Sequence, residues 1–143
     1  MEDIIGFIFP VRPEHASSIF NKGKEVFVKF GRQTKLKTGS KALFYVSGKR
    51  LVVGEATIKA IEDMPPEKVW EKFGSKLFIT RKELTKYAKT NPFGEKRITK
   101  ELRVYILTQV VRYHEPFSLN KKMNLAGFYI TKDEYLSLRK QKS

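Results

Sequence analysis

The chain has 143 residues and is 41% hydrophobic, which suits one folded domain with a real core and argues against global disorder. It carries 29 lysines and arginines against 15 acids, a formal charge of +14, so its potential draws in polyanions. It has no cysteine, which excludes disulfides and thiolate metal sites, and no apolar run approaches the roughly 20 residues that span a bilayer.

Ile4–Phe9 is a short apolar run closed by Pro10 and reads as a buried strand. Glu2 and Asp3 stand where a secretion signal carries cations, so a cytoplasmic location is expected. Pro13-Glu14 fits the first turn of a helix, where proline lacks nothing and an acid meets the positive helix end. That helix is expected to run to about Phe20 and stop near Gly23. Glu25–Phe30 alternates, with Val26, Val28 and Phe30 on one face and Glu25, Phe27 and Lys29 on a more polar one. Ala42–Val46 and Leu51–Ile58 are two strands joined by Ser47-Gly48-Lys49-Arg50. Both are apolar on both faces in places, which suits a curled sheet. Gly54 inside the second suggests a bulge or a close backbone approach.

Asp63 stands as the N-cap of a helix opening at Pro65-Pro66, with Val69, Trp70 and Phe73 on one stripe and Gly74 as its stop. Trp70 there is a core anchor or a stacking residue. Thr80-Arg81-Lys82-Glu83 is a capping box, continued by Leu84, Tyr87 and Ala88. Lys89–Lys100 is a long basic loop holding Phe93, and long loops in compact domains are often functional. Leu102–Tyr113 is the longest strand candidate. Gly127–Ile130 is a short strand, Thr131–Glu134 a second capping box, and the last helix runs through Leu138. The order β-α-β-β-β-α-α-β-β-α lacks regular βα alternation. It points to a mixed α/β (α+β) domain over residues 1–143, a pseudo-barrel of about five to six strands with flanking helices.

Nine cations, Lys22, Lys24, Lys29, Arg32, Lys35, Lys37, Lys41, Lys49 and Arg50, fall between positions 22 and 50 with Glu25 as the one acid. Brought together they would bind a phosphate backbone; left apart they are a solvated rim. Phe27 is either a base-stacking platform on a polar strand face or a core residue. Tyr45 poses the same alternative, its ring inside and its hydroxyl reaching a pocket. Glu55, beside Gly54, is a candidate base or half of a structural ion pair with a lysine. His15 and His114 are the only histidines, too few and too far apart for a metal site, and His114-Glu115 point apart in an extended segment. No cofactor and no metal is expected.

The segment from Leu36 to Ile58 resembles the signature hairpin of PUA-like domains of the ASCH and EVE branches. Gly39-Ser40 forms the turn, Phe44-Tyr45 the aromatic strand end, and Val53-Gly54-Glu55-Ala56 the return. The resemblance implies a compact pseudo-barrel that binds RNA or modified nucleobases, in a groove between the first helix and the early strands. Some relatives hydrolyse an acylated cytidine with a lysine, a threonine and a glutamate, around a pattern close to Gly-x-Lys-x-x-(Glu or Thr)-x-Arg. Aligned on Lys24, this chain has Phe27 at the Glu/Thr place and Lys29 at the arginine place, and Ser40 replaces the usual aspartate of the turn. Phenylalanine can be neither nucleophile nor acid. The clustered charge and the hairpin resemblance together point to nucleic-acid binding, RNA first, by Lys24, Phe27, Lys29, Arg32, Lys35, Lys37, Lys41, Tyr45, Lys49 and Arg50. The alternatives are a nucleoside or modified-base hydrolase using Lys24 and Glu55, and a protein-interaction module of a ribonucleoprotein.

Overall fold

The computed structural model describes residues 3–29, 33–89, 101–119 and 127–140. The elements are β1 (Ile4–Val11), α1 (Pro13–Phe20), β2 (Val26–Lys29), β3 (Lys41–Val46), β4 (Leu51–Met64), α2 (Pro66–Phe73), a 3-10 turn (Gly74–Lys76), α3 (Arg81–Lys89), β5 (Leu102–Ser118), β6 (Phe128–Thr131) and α4 (Lys132–Lys140). The expected element order is found. Arg32 and the segment 90–100 lie outside the described residues.

All six strands form one mixed sheet in the order β2-β5-β4-β3-β1-β6. Only β1 and β3 run parallel; α1 and β2 lie between them in sequence and provide the crossover. The sheet curls without closing into a barrel, with β2 and β6 at its two ends. Its concave face carries the larger core. Phe7, Phe9, Phe44, Ile58, Tyr105 and Leu107 point there, and α1, α2 and α3 cover it with Ile19, Val69 and Leu84. The opposite face holds a smaller core of Ile8, Leu43, Val52, Tyr113, Phe117 and Ile130, covered by Leu138 of α4.

Both capping boxes form. The Thr80 N–H donates to Glu83 Oε1 at 3.0 Å and the Glu83 N–H to Thr80 Oγ1 at 3.1 Å. The Thr131–Glu134 pair repeats this at 2.9 and 3.1 Å. The expected cap of α2 does not form. Pro65 occupies the N-cap, and Asp63 is still within β4, where its carboxylate receives two hydrogen bonds from Arg103 of β5.

β4 and β5 run past their expected ends, pairing from Leu51↔Ser118 to Met64↔Leu102 with three register shifts. Each shift re-aims the side chains and breaks the alternation by which a strand is read. One lies at Gly54. A Cβ there would stand 2.6 Å from the Phe20 ring and 2.6 Å from the Val111 carbonyl oxygen, so only glycine admits this packing.

β2 departs most from its pattern. Val26, Phe27 and Val28 are all buried, so neither face is polar. β5 flanks one edge, and the other bridges to Leu77, whose neighbour Phe78 donates its N–H to the Val26 carbonyl. Phe27 is 2% exposed, and its ring centroid lies 4.9 Å from Phe9, 5.3 Å from Phe44 and 4.7 Å from Phe78. Its ring belongs to the core and offers no surface to a base. The concave sheet turns the Glu25/Phe27/Lys29 side inward, which the period of two does not reveal.

Candidate nucleic-acid interface

The clustered cations that are described do not all gather once the chain is folded. Lys24, after α1, donates to the Ser75 carbonyl on the helix-covered side. Lys41, on the α4 side of the sheet, donates to Thr57 Oγ1 at 3.1 Å and lies 3.7 Å from Glu55. Lys49 and Arg50 are exposed in the turn at the far end of β3. Five residues of strand put that turn roughly 17 Å from Lys41. Lys37 is exposed beside the buried Ser40, whose hydroxyl accepts the Lys37 N–H at 3.0 Å. Tyr45 packs half-buried against the smaller core, away from Lys29.

Glu55 is buried beneath α4. It accepts hydrogen bonds from the Tyr113 hydroxyl at 2.6 Å and the Tyr135 hydroxyl at 2.8 Å. Lys41 completes the arrangement of a structural ion pair. Lys24 and Glu55 thus stand on opposite faces of the sheet, which gives a hydrolytic site built on that pair no geometric basis.

One group does converge, at the rim of the concave face where β2 ends. Strand pairing sets Lys29 beside Arg103 and Phe27 beside Tyr105. Alternation puts Lys29 on the same inward side as Phe27. The Tyr105 hydroxyl donates to Gln33 Oε1 at 2.6 Å, and both residues are buried. Burial pushes the Tyr105 hydroxyl well above its usual range, so it remains a donor throughout the physiological range. Next along the rim, the Lys35 N–H donates to the Tyr129 hydroxyl at 3.2 Å. The Lys35 ammonium sits 5.5 Å above the Tyr129 ring centre, a cation–π contact. Tyr129 in turn packs edge-on against Phe7 at 5.0 Å.

Lys29 is the unusual member. It is half-buried, and burial lowers its ammonium to about 8 from 10.5. No described carboxylate offsets this. Asp63, the nearest acid by strand register, is engaged by Arg103 through Nε–Oδ1 and Nη2–Oδ2 contacts of 3.0 Å each. The hydrogen bonds with Asp63 raise the Arg103 guanidinium further, so it stays charged and committed. The rim therefore offers a desolvated cation with no charge partner among the described residues, an exposed cation and a tyrosine face. Among the described residues no group of three or more His, Asp or Glu is placed to hold a metal ion. No helix there is long and apolar enough to cross a membrane.

Gln33, Tyr105 and Tyr129 are members that sequence reasoning missed. Tyr105 carried a signal, a hydroxyl inside the apolar run Leu102–Leu107 that must find a partner when buried. Gln33 and Tyr129 carried none.

This architecture is similar to that of solved ASCH proteins. A single-substitution variant of the ASCH protein from Zymomonas mobilis superposes with a TM-score of 0.80 at 18% identity, over 99% of both chains. The ASCH protein itself gives 0.74 at 18% identity, over 95% of this chain and 94% of that one. The N-terminal domain of Staphylothermus marinus McrB gives 0.57 at 12% identity, over 99% and 98%. At such identities the likeness is one of fold. In sequence, residues 4–132 match the family described as "Domain of unknown function (DUF365)", and the chain belongs to it. A relative, "Uncharacterized protein MJECS03" of Methanocaldococcus jannaschii, is 30% identical over 107 residues, 71% of this chain and 98% of that protein.

Proposed function

We propose that this chain binds nucleic acid, single-stranded RNA first, at the rim formed by Lys29, Lys35, Gln33, Tyr105 and Tyr129. The observation that carries the reading is Lys29, an ammonium half-buried without a described carboxylate. Such a group costs stability unless something anionic meets it. A phosphate does so, and it also releases condensed counterions. Lys35 extends the cationic surface, and Tyr129 supplies an aromatic face for an unstacked base. The net charge of +14 brings the polyanion in, and the PUA-like resemblance agrees with RNA as its class.

The test is fluorescence anisotropy with a labelled single-stranded RNA across a salt series, comparing wild type with Lys29→Glu/Lys35→Glu. The double variant should bind more weakly, and the slope of log affinity against log salt should fall by about 1.4 for two lost phosphate contacts. Unchanged affinity and slope would rule out the rim.

A further inference from the structure

Beyond the rim, α2 and α3 enclose a cleft of about 330 Å³. Trp70, Pro66 and Leu84 line it, with Glu67 and Glu71 on the α2 wall and Arg81 on the α3 wall. A shallower hollow on the outer face of α3 shares Arg81 and Thr85 with it and adds Lys82 and Lys86. Trp70 packs against the larger core while half-buried. The indole therefore both anchors α2 and faces a recess. No described carboxylate forms an ion pair with Arg81, Lys82 or Lys86, and the acid of their own helix, Glu83, is taken by His15 at 2.8 Å.

Strand geometry links this cleft to the rim. Leu77 bridges Val26 and the Phe78 N–H donates to the Val26 carbonyl, so the segment leading into α3 departs from the edge of β2. α3 starts at Arg81, four residues after that bridge. Four residues reach at most about 14 Å, so the start of α3 stays in the neighbourhood of the β2 edge. From Arg81 to Lys86 the helix then carries its cations about 7.5 Å onward.

We infer that the α2–α3 cleft is a second nucleotide subsite on the same single strand, an inference that rests on the rim being a nucleic-acid site. The strand leaves Lys29, lays its phosphates along Arg81, Lys82 and Lys86, and turns one base inward onto Trp70. Two charged walls of opposite sign fix that orientation. Glu71 lies 3.8 Å from Lys68, whereas Glu67 repels phosphate and accepts a hydrogen bond from an exocyclic amine, so the favoured base carries one, as cytosine does and uracil does not. A purely apolar or purely basic cleft would impose no such choice.

Trp70 is the one tryptophan of the chain, so intrinsic emission reports on this cleft directly. Labelled oligocytidine and oligouridine of equal length are titrated into the full chain, reading label anisotropy and Trp70 emission together. Oligocytidine is expected to bind several-fold more tightly and to quench the emission. Lys82→Glu/Lys86→Glu should weaken its binding about tenfold and remove the quenching. Binding that anisotropy registers with Trp70 emission unchanged, or with equal affinity for the two oligomers, overturns the cleft and leaves the rim standing. Absence of an anisotropy change with either oligomer overturns both.

Discussion

Replacing Lys29 by methionine tests whether this position is kept for function at a cost to stability. Methionine matches the length of the aliphatic stem and removes the charge. The ammonium releases its proton near 8 in the folded chain against 10.5 ordinarily. Fully converted, that difference corresponds to roughly 3 kcal/mol. The side chain keeps part of its surface in water, so the expected gain for Lys29→Met at neutral pH is about 1–2 kcal/mol. The pH dependence has a definite sign. Below pH 8 both states hold the proton and the penalty is fully present. Between 8 and 10.5 the unfolded chain holds a proton that the folded chain has lost, so wild-type stability rises with pH and the advantage of the variant shrinks. Urea unfolding at neutral pH and near pH 10 measures both terms, and anisotropy under the same neutral conditions should show weaker RNA binding by the more stable variant. A variant less stable than wild type at neutral pH, or a stability gap that ignores pH, would refute the reasoning.

Two further substitutions address the core and the second face. Phe27→Leu should lower stability by about 1–2 kcal/mol, the cost of a poorer fit among four aromatic rings, without changing RNA affinity; loss of affinity with an unchanged melt would make the ring a binding surface after all. Glu55→Ala should cost about 2–4 kcal/mol, because the Tyr113 and Tyr135 hydroxyls lose a buried acceptor. Thermal unfolding followed by circular dichroism checks it, and a melt within a degree of wild type would mean that these bonds add nothing.

The fold was legible because its punctuation is local. Two capping boxes, each spanning four residues, together with Pro13 and Gly74 mark helix ends, and the order of elements followed from them. The lengths of β4 and β5 were not legible, since three bulges scramble the alternation on which strand ends are judged. Asp63 shows the same limit: its cap-like position before two prolines is local, whereas Arg103, its partner, is 40 residues away. The site was legible only in its chemistry. Lysines adjacent in sequence were expected to gather, yet the parallel β1–β3 pairing and the reversal into β4 send Lys41 and Arg50 to different ends of the sheet. The residues that do meet are joined by contacts spanning 72 and 94 positions, which no window along one sequence exposes.

The placement of β1 has a bearing on how the protein is made. This strand is seated between β3 and β6. One of its edges meets Phe128–Thr131, which are made much later along the chain. Until then a nascent chain presents Ile4, Gly6 and Ile8 along an open flank, with the two segments more than 110 residues apart. Losing β6 and α4 would therefore leave that edge of β1 unpaired and open to a strand from another chain.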